Sequence, residues 1–256
     1  MGLNITRAGL RSVLKYPWPH NPGDAKASIK WGFFQGDAAA FRWVLSGEGG
    51  RQGWDTKEWT RRPSPPMPAL SLEAQIMEWA DDVTYAVHDL EDFFRVGVIP
   101  LRILMDQGEL WEQFRIWLVR KWSTQGKTEP KAGDSLAMAQ NILAKYFSTN
   151  DLNDEFRRSL AINRFAGEVI HECVTGVKVV FDGPEETPRL LRPKDYEKGI
   201  AALKELVSFF VIDGPQMTVS QNGQRTMINA VYSFFHDEAS KLTTRSTNPT
   251  PSSDHA

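Results

Sequence analysis

The sequence predicts a mainly α-helical protein with at most one small β-hairpin. Apolar residues recur at helical spacing through most of the 256 residues. The stretch from Leu72 to Arg95 holds that spacing for about six turns. Only Val177 to Phe181 and Leu190 to Leu191 have strand character, and they can pair across Asp182-Gly183-Pro184.

The first helix is expected from Thr6 to Tyr16, with Leu10, Val13 and Leu14 on one buried face and Pro17 and Pro19 ending it. A Gly/Pro-containing connection leads through Lys30-Trp31-Gly32-Phe33-Phe34 to a second short helix that opens at Asp37, a suitable N-cap, and carries Phe41, Trp43, Val44 and Leu45. Gly47 to Leu70 has the glycines and prolines of a long loop. Ser71 then caps the helix from Leu72 to Arg95, which stops near Gly97 and Pro100. Leu101 to Met105 and Leu110 to Trp122 are expected as a broken helical pair, and the aromatic stripe Trp111, Phe114, Trp117, Leu118 and Trp122 is read as core packing in preference to a base-stacking surface. Four more helices follow at Ser135–Phe147, Asn153–Thr175, Tyr196–Ile212 and Pro215–Leu242. The Thr-, Ser- and Pro-rich stretch from Thr243 to Ala256 is expected to be a disordered tail.

Composition narrows the function classes. With 41% hydrophobic residues, 14 Phe and 9 Trp, the chain can bury a sizeable core without covalent staples. A formal net charge of -2 gives no global drive toward nucleic acid or anionic membranes, so any basic site is local. Cys173 is the one cysteine, which excludes an intrachain disulfide and a multi-cysteine metal site. With no apolar leader and no membrane-length apolar run, the expected location is the cytoplasm.

The helix from Leu72 to Arg95 is the segment that carries chemistry. Leu72, Ile76, Trp79, Val83, Val87, Leu90 and Phe94 fall in one arc, which should pack inward. On the other side lie Asp81, Tyr85, His88 and Asp92, flanked by Glu78, Asp82 and Asp89. No Lys or Arg occurs between Glu73 and Asp92, so the acids lack cationic partners on their own helix and repel one another. A solvated helix surface is one reading of this face. A bound cation is the other, and clustered oxygen donors suit Mg²⁺ or Mn²⁺.

The run SLEAQIMEWADDVTYAVHDLEDFFRVGVIPL, beginning at Ser71, is similar to a helix of the dGTPase-like deoxynucleoside triphosphate triphosphohydrolases, members of the HD-domain phosphohydrolase superfamily. Gly2-Leu3-Asn4-Ile5-Thr6-Arg7, Leu14-Lys15-Tyr16-Pro17-Trp18 and Lys30-Trp31-Gly32 resemble an earlier stretch of the same family. Leu203-Lys204-Glu205-Leu206, Val211-Ile212-Asp213 and Gln224-Arg225 resemble its C-terminal helices. The resemblance implies a helical HD-domain bundle that is incomplete at its N-terminus. Residues 1–96 would form the C-terminal part of the catalytic domain, 97–242 a phosphohydrolase-associated helical region and 243–256 the tail.

The family cleaves a dNTP into a deoxynucleoside and inorganic triphosphate with a divalent metal held by His…His-Asp…Asp. By resemblance the last Asp is Asp81. Tyr85 and Asp89 border the deoxyribose, with Asp89 on its 3′-hydroxyl. Lys15 and Lys30 match basic positions used on the triphosphate, and Tyr16, Arg157 and Arg158 are secondary candidates for substrate contact.

The sequence departs from the family at the metal, because the upstream His…His-Asp ligands have no counterpart among His20, His88, His171, His236 and His255. The chain alone is therefore expected to be inactive, with the missing HD segment supplied as a separate chain or by a longer reading frame. Loss of that layer should expose the Leu72–Phe94 arc and promote self-association, and the family's homo-oligomers point the same way. The alternative expectation is a non-catalytic nucleotide-binding or oligomerising subunit, and the remaining one is a helical scaffold without a ligand.

Overall fold

The computed structural model describes residues 4–24, 29–45, 70–101, 108–125, 129–181, 183 and 188–247. The long loop expected from Gly47, most of Leu101–Met105, most of the hairpin turn and the end of the tail lie outside them.

Helix α1 spans Arg7–Ser12, capped by the Thr6 hydroxyl, which accepts from the Gly9 amide. It ends four residues earlier than expected, and Val13 points to solvent instead of into a core. Pro17 is the physical reason, because its ring disfavours helical geometry at Tyr16 and the chain must leave the helix before it. A 3-10 turn, Gln35–Asp37, feeds α2, Ala38–Leu45, so Asp37 lies inside that turn instead of capping the helix. Phe41 of α2 is buried and stacks on Phe33 with ring centres 3.8 Å apart.

Helix α3 spans Leu72–Arg95, as expected. Ser71 Oγ accepts from the Ala74 amide at its start. At its end Gly97 adopts φ +73, while Val98 N donates to Phe93 O and Gly97 N to Phe94 O, the paired bonds of a Schellman stop. Helices α4 (Glu109–Thr124), α5 (Glu129–Tyr146), α6 (Thr149–Leu152) and α7 (Glu155–Thr175) follow. The short α6 opens with a reciprocal capping box between Ser148 and Asp151. Strands β1 (Lys178–Val180) and β2 (Arg189–Leu191) pair antiparallel with Val179 opposite Leu190, the hairpin foreseen in the sequence. Then come α8 (Lys194–Val207), a π-helical turn (Ser208–Ile212) and α9 (Pro215–Thr247). Helix α9 runs through Thr243–Thr247, which corrects the expected start of a disordered tail.

The protein is thus mainly α. Helix α8 packs on both α3 and α5, with α7 against α3 and α4 against α5. One apolar cluster runs from Trp79 to Val211 and holds Phe114, Phe165, Leu90 and Leu203 at essentially zero exposure. Helices α3 and α7 are antiparallel: Trp79 Nε1 donates to Cys173 O near one end, and Arg95 donates to Ser159 and Asn163 at the other.

Two expectations about α3 change. Trp79, Val83, Val87, Leu90 and Phe94 are covered by this chain's own helices, so the arc is not exposed, whereas Ile76 lies at the surface. The Trp111–Trp122 stripe is core as expected, with Trp117 partly buried and packed 5.4 Å from Phe209. Gln75 at the start of α3 fixes the hairpin by donating to Pro188 O and accepting from Leu190 N.

Candidate functional site

The site is built where the segment after α1 meets the polar face of α3. Because α1 stops at Ser12, the chain turns back through Pro17 and lies beside residues 30–33. Gly32 N donates to Trp18 O at 3.0 Å, His20 N to Phe33 O at 2.9 Å and Trp18 Nε1 to Lys30 O at 2.6 Å. Gly32 is required for this approach, since a Cβ there would stand 2.2 Å from the Tyr16 carbonyl oxygen. Its missing side chain brings Lys15, Tyr16 and Lys30 together, with the Tyr16 ring 5.9 Å from Lys15 Nζ and 5.6 Å from Lys30 Nζ.

Lys15 Nζ donates to Asp81 Oδ2 at 2.6 Å. That bond holds the Asp81 carboxyl below its ordinary range; partial burial opposes it, and the positive charges of Lys15, Lys204 and Lys30 reinforce it. Burial pulls the Lys15 ammonium down, but the Asp81 bond and the nearby charges of Tyr16, Asp81 and Asp82 outweigh it and leave Lys15 raised. The pair is therefore fully ionised at neutral pH.

Lys204 on α8 completes the cluster and was not foreseen as a site residue. Its Nζ donates to Asp82 Oδ1 at 2.8 Å and lies 5.3 Å from the centre of the Tyr85 ring, which is 44% exposed. Nothing local in the sequence marks Lys204, because it reaches α3 only through the packing of two helices 122 positions apart. Asp81 is thus surrounded by Lys15, Lys30 and Lys204, with Tyr16 and Tyr85 alongside.

The expectation that the α3 acids lack cationic partners holds only within the helix. Across the fold Glu78 meets Arg192 at 2.8 Å, Asp81 meets Lys15 and Asp82 meets Lys204, while Glu91 pairs within the helix with Arg95 at 2.7 Å. Like charges on one helix face are neutralised from distant segments, so their repulsion does not by itself call for a metal. Among the described residues no group of three or more His, Cys, Asp and Glu is arranged to hold a metal ion. Asp81, the metal ligand that the resemblance implies, is bonded to Lys15 in this structure.

Asp89 lies two turns beyond Asp81, about 12 Å along the axis at 1.5 Å per residue. Partial burial, then the charge of Asp92, push its carboxyl up, against the opposing effect of His88. Asp81 and Tyr85 share the lysine cluster, whereas Asp89 sits past its edge. Arg157 and Arg158 open α7, which is antiparallel to α3, and so lie beside the Arg95 end. That end is on the order of 20 Å along the helix from Asp81.

A groove of about 670 Å³ lies apart from this cluster, between the hairpin and the start of α8, lined by Lys178, Arg192, Lys194 and Glu197. Arg192 is already engaged there, bridging Glu78 and Glu197 and packing 5.4 Å from the Trp79 ring centre.

The chain resembles several curated bacterial proteins. No protein-family model matches the chain. A deoxyguanosinetriphosphate triphosphohydrolase-like protein of Corynebacterium glutamicum is 27% identical over 241 residues, covering 91% of this chain and 51% of the relative. Its namesake in Corynebacterium efficiens is 28% identical over 243 residues, with 91% and 52% covered. A Streptomyces coelicolor protein of the same description is 37% identical over 110 residues, 43% of this chain. The chain is thus similar over most of its own length to dGTPase-like proteins, and it spans about half the length of those relatives. No described helix is long and apolar enough to cross a membrane.

Proposed function

We propose that this chain supplies the sugar-triphosphate cradle of a deoxynucleoside triphosphate triphosphohydrolase, a protein that converts a dNTP and water to a deoxynucleoside and triphosphate. In that reaction the oxygen of water bonds to the α-phosphorus and the bond to the 5′-oxygen breaks. The 5′-oxygen takes a proton, and the triphosphate keeps the water's oxygen.

The observation that carries the reading is the convergence of Lys15, Lys30 and Lys204 on the Asp81 end of α3. A triphosphate carries several negative charges, and charge-assisted bonds from ammonium groups are the ordinary means of holding it. Phosphate oxygens would take Lys15 from Asp81 and Lys204 from Asp82, exchanging one anionic partner for another with little net desolvation. Tyr85, exposed beside Lys204, offers a ring face for the sugar. Asp89, whose carboxyl is raised, is the acceptor proposed for a 3′-hydroxyl. Asp81, freed from Lys15, is the residue through which this chain would contribute to a divalent-metal centre.

The test is calorimetric titration of the chain, with EDTA present, by dGTP, tripolyphosphate and deoxyguanosine. Binding of dGTP tighter than of either part, with competition by both, is expected. Absence of tripolyphosphate binding would refute the cradle. The reaction is tested by its products in the assembled enzyme: deoxyguanosine plus triphosphate supports it, and dGDP plus phosphate overturns it.

A further inference from the structure

The groove between the hairpin and the start of α8 has a volume of about 670 Å³, and the nucleotide cradle makes no use of it. Its walls are fixed from behind. Gly176, which ends α7, lies against Pro193, which opens α8: a Cβ on Gly176 would stand 2.7 Å from the Pro193 ring, so a side chain there would push the two apart. The hairpin wall is held from α3, where Gln75 donates to Pro188 O and accepts from Leu190 N.

Three cations line this space, and they differ in freedom. The Arg192 guanidinium is braced by Glu78 at 2.8 Å, by Glu197 at 3.7 Å and by the Trp79 ring, so it presents a positive charge that does not wander. Lys178 and Lys194 are exposed, and neither pairs with a carboxylate among the described residues. They stand on different walls. Lys178 is opposite Leu191 across the hairpin, and Lys194 is the first residue of α8. Leu190, Leu191 and Pro193 supply the apolar lining. Helix α8 begins here without a side-chain cap, because Pro193 has no acceptor to offer, and the positive end of its dipole adds to the ammonium groups.

We infer that this groove binds a small dicarboxylate, one carboxylate on Lys178, the other on Lys194 and the start of α8, and the carbon stem against Leu191 and Pro193. Charge selects the class. Lys178, Arg192 and Lys194 against Glu78 and Glu197 leave one net positive charge, which suits a dianion and not the several negative charges of a triphosphate. Shape selects it further. Two ammonium groups on separate walls with an apolar lining fit two acidic groups joined by methylenes, whereas a compact inorganic phosphate would leave the lining uncovered. This inference is independent of the nucleotide reading, because it shares no residue with the cradle.

The test is calorimetric titration of the chain with acetate, succinate, glutarate, inorganic phosphate and tripolyphosphate at low ionic strength, where surface charges are least screened. Succinate or glutarate should bind saturably and at least about tenfold tighter than acetate or phosphate. Lys178→Gln and Lys194→Gln, both at exposed positions, should each weaken the dicarboxylate about three- to fivefold, as the loss of one solvent-screened pair requires. Neither should alter the affinity for tripolyphosphate. Lys15→Met should leave the dicarboxylate affinity unchanged, so a failed cradle and a failed groove give different patterns. Absence of saturable dicarboxylate binding, equal affinity for acetate and succinate, or dicarboxylate binding indifferent to both lysine variants would overturn the inference. So would loss of tripolyphosphate affinity in those variants, or loss of dicarboxylate binding in Lys15→Met.

Discussion

Replacing Lys15 with Met separates the two roles that this side chain can have. The perturbation keeps the apolar stem and removes the ammonium that sits 2.6 Å from Asp81. As a stabilising ion pair the contact is weak, because the Asp81 side chain is 57% exposed and that of Lys15 20%. Solvent-screened pairs of this kind contribute about 0.2–1 kcal/mol, so the unfolding midpoint in urea should move little. As a phosphate ligand Lys15 contributes more. Bonds to charged groups contribute about 1.5–3 kcal/mol, and at 1.4 kcal/mol per tenfold the loss corresponds to roughly 10- to 100-fold in affinity for tripolyphosphate. The assay is calorimetry beside urea unfolding on the same preparation. A change in affinity below about threefold, or a stability loss above about 2 kcal/mol, would refute the assignment and make Lys15 a structural residue.

Three further outcomes follow from the same structure. Gly32→Ala should reduce triphosphate affinity about as much as removing Lys15 and Lys30 together, with the far-ultraviolet helical signal retained, because the added Cβ meets the Tyr16 carbonyl and parts the two segments. Phe165→Ala should cost about 3–5 kcal/mol in urea unfolding, since the ring is fully buried among Phe94, Tyr146 and Phe147. The stability difference between the native chain and Lys15→Met should be flat from about pH 4 to about pH 10. Asp81, lowered by folding from 3.8, contributes above that value and loses its contribution as pH falls through its folded value. Lys15, raised from 10.5, contributes below that value and loses it as pH rises through its folded value. A difference that grew on acidification would contradict the direction of the Asp81 shift, and one that grew above pH 10 that of Lys15.

What could be read from the sequence was whatever local pattern decides. The capped helix from Leu72 to Arg95, its acidic face and the small hairpin rest on periodicity and turn residues, which act over a few positions. The partners of that acidic face were not legible. Arg192, Lys204 and Lys15 reach Glu78, Asp82 and Asp81 only through tertiary packing, so acids that look unpaired in one dimension are neutralised in three. The early end of α1 was half-legible: Pro17 announced a stop, but where the helix ends depends on the chain turning back against residues 30–33. In the sequence, Gly32 stands out only within the stretch that carries the family resemblance. The structure gives its physical reason, a backbone approach that a side chain would block. Helix α9 runs past Leu242 because Thr243–Thr247 contains no strong helix breaker, although its composition is that of a tail.

The claim on which the rest depends is that the Lys15–Lys30 segment, Lys204 and the Asp81 face of α3 form one triphosphate site. The direct measurement is photocrosslinking of the chain with a dGTP analogue that carries its reactive group on the γ-phosphate, followed by peptide mapping. Labelling confined to the peptides containing Lys15, Lys30 or Lys204, and abolished by excess tripolyphosphate, is the predicted result. Labelling of Lys178 and Lys194 in the groove beside the hairpin, with the α3 face and its lysines unmarked, would contradict it.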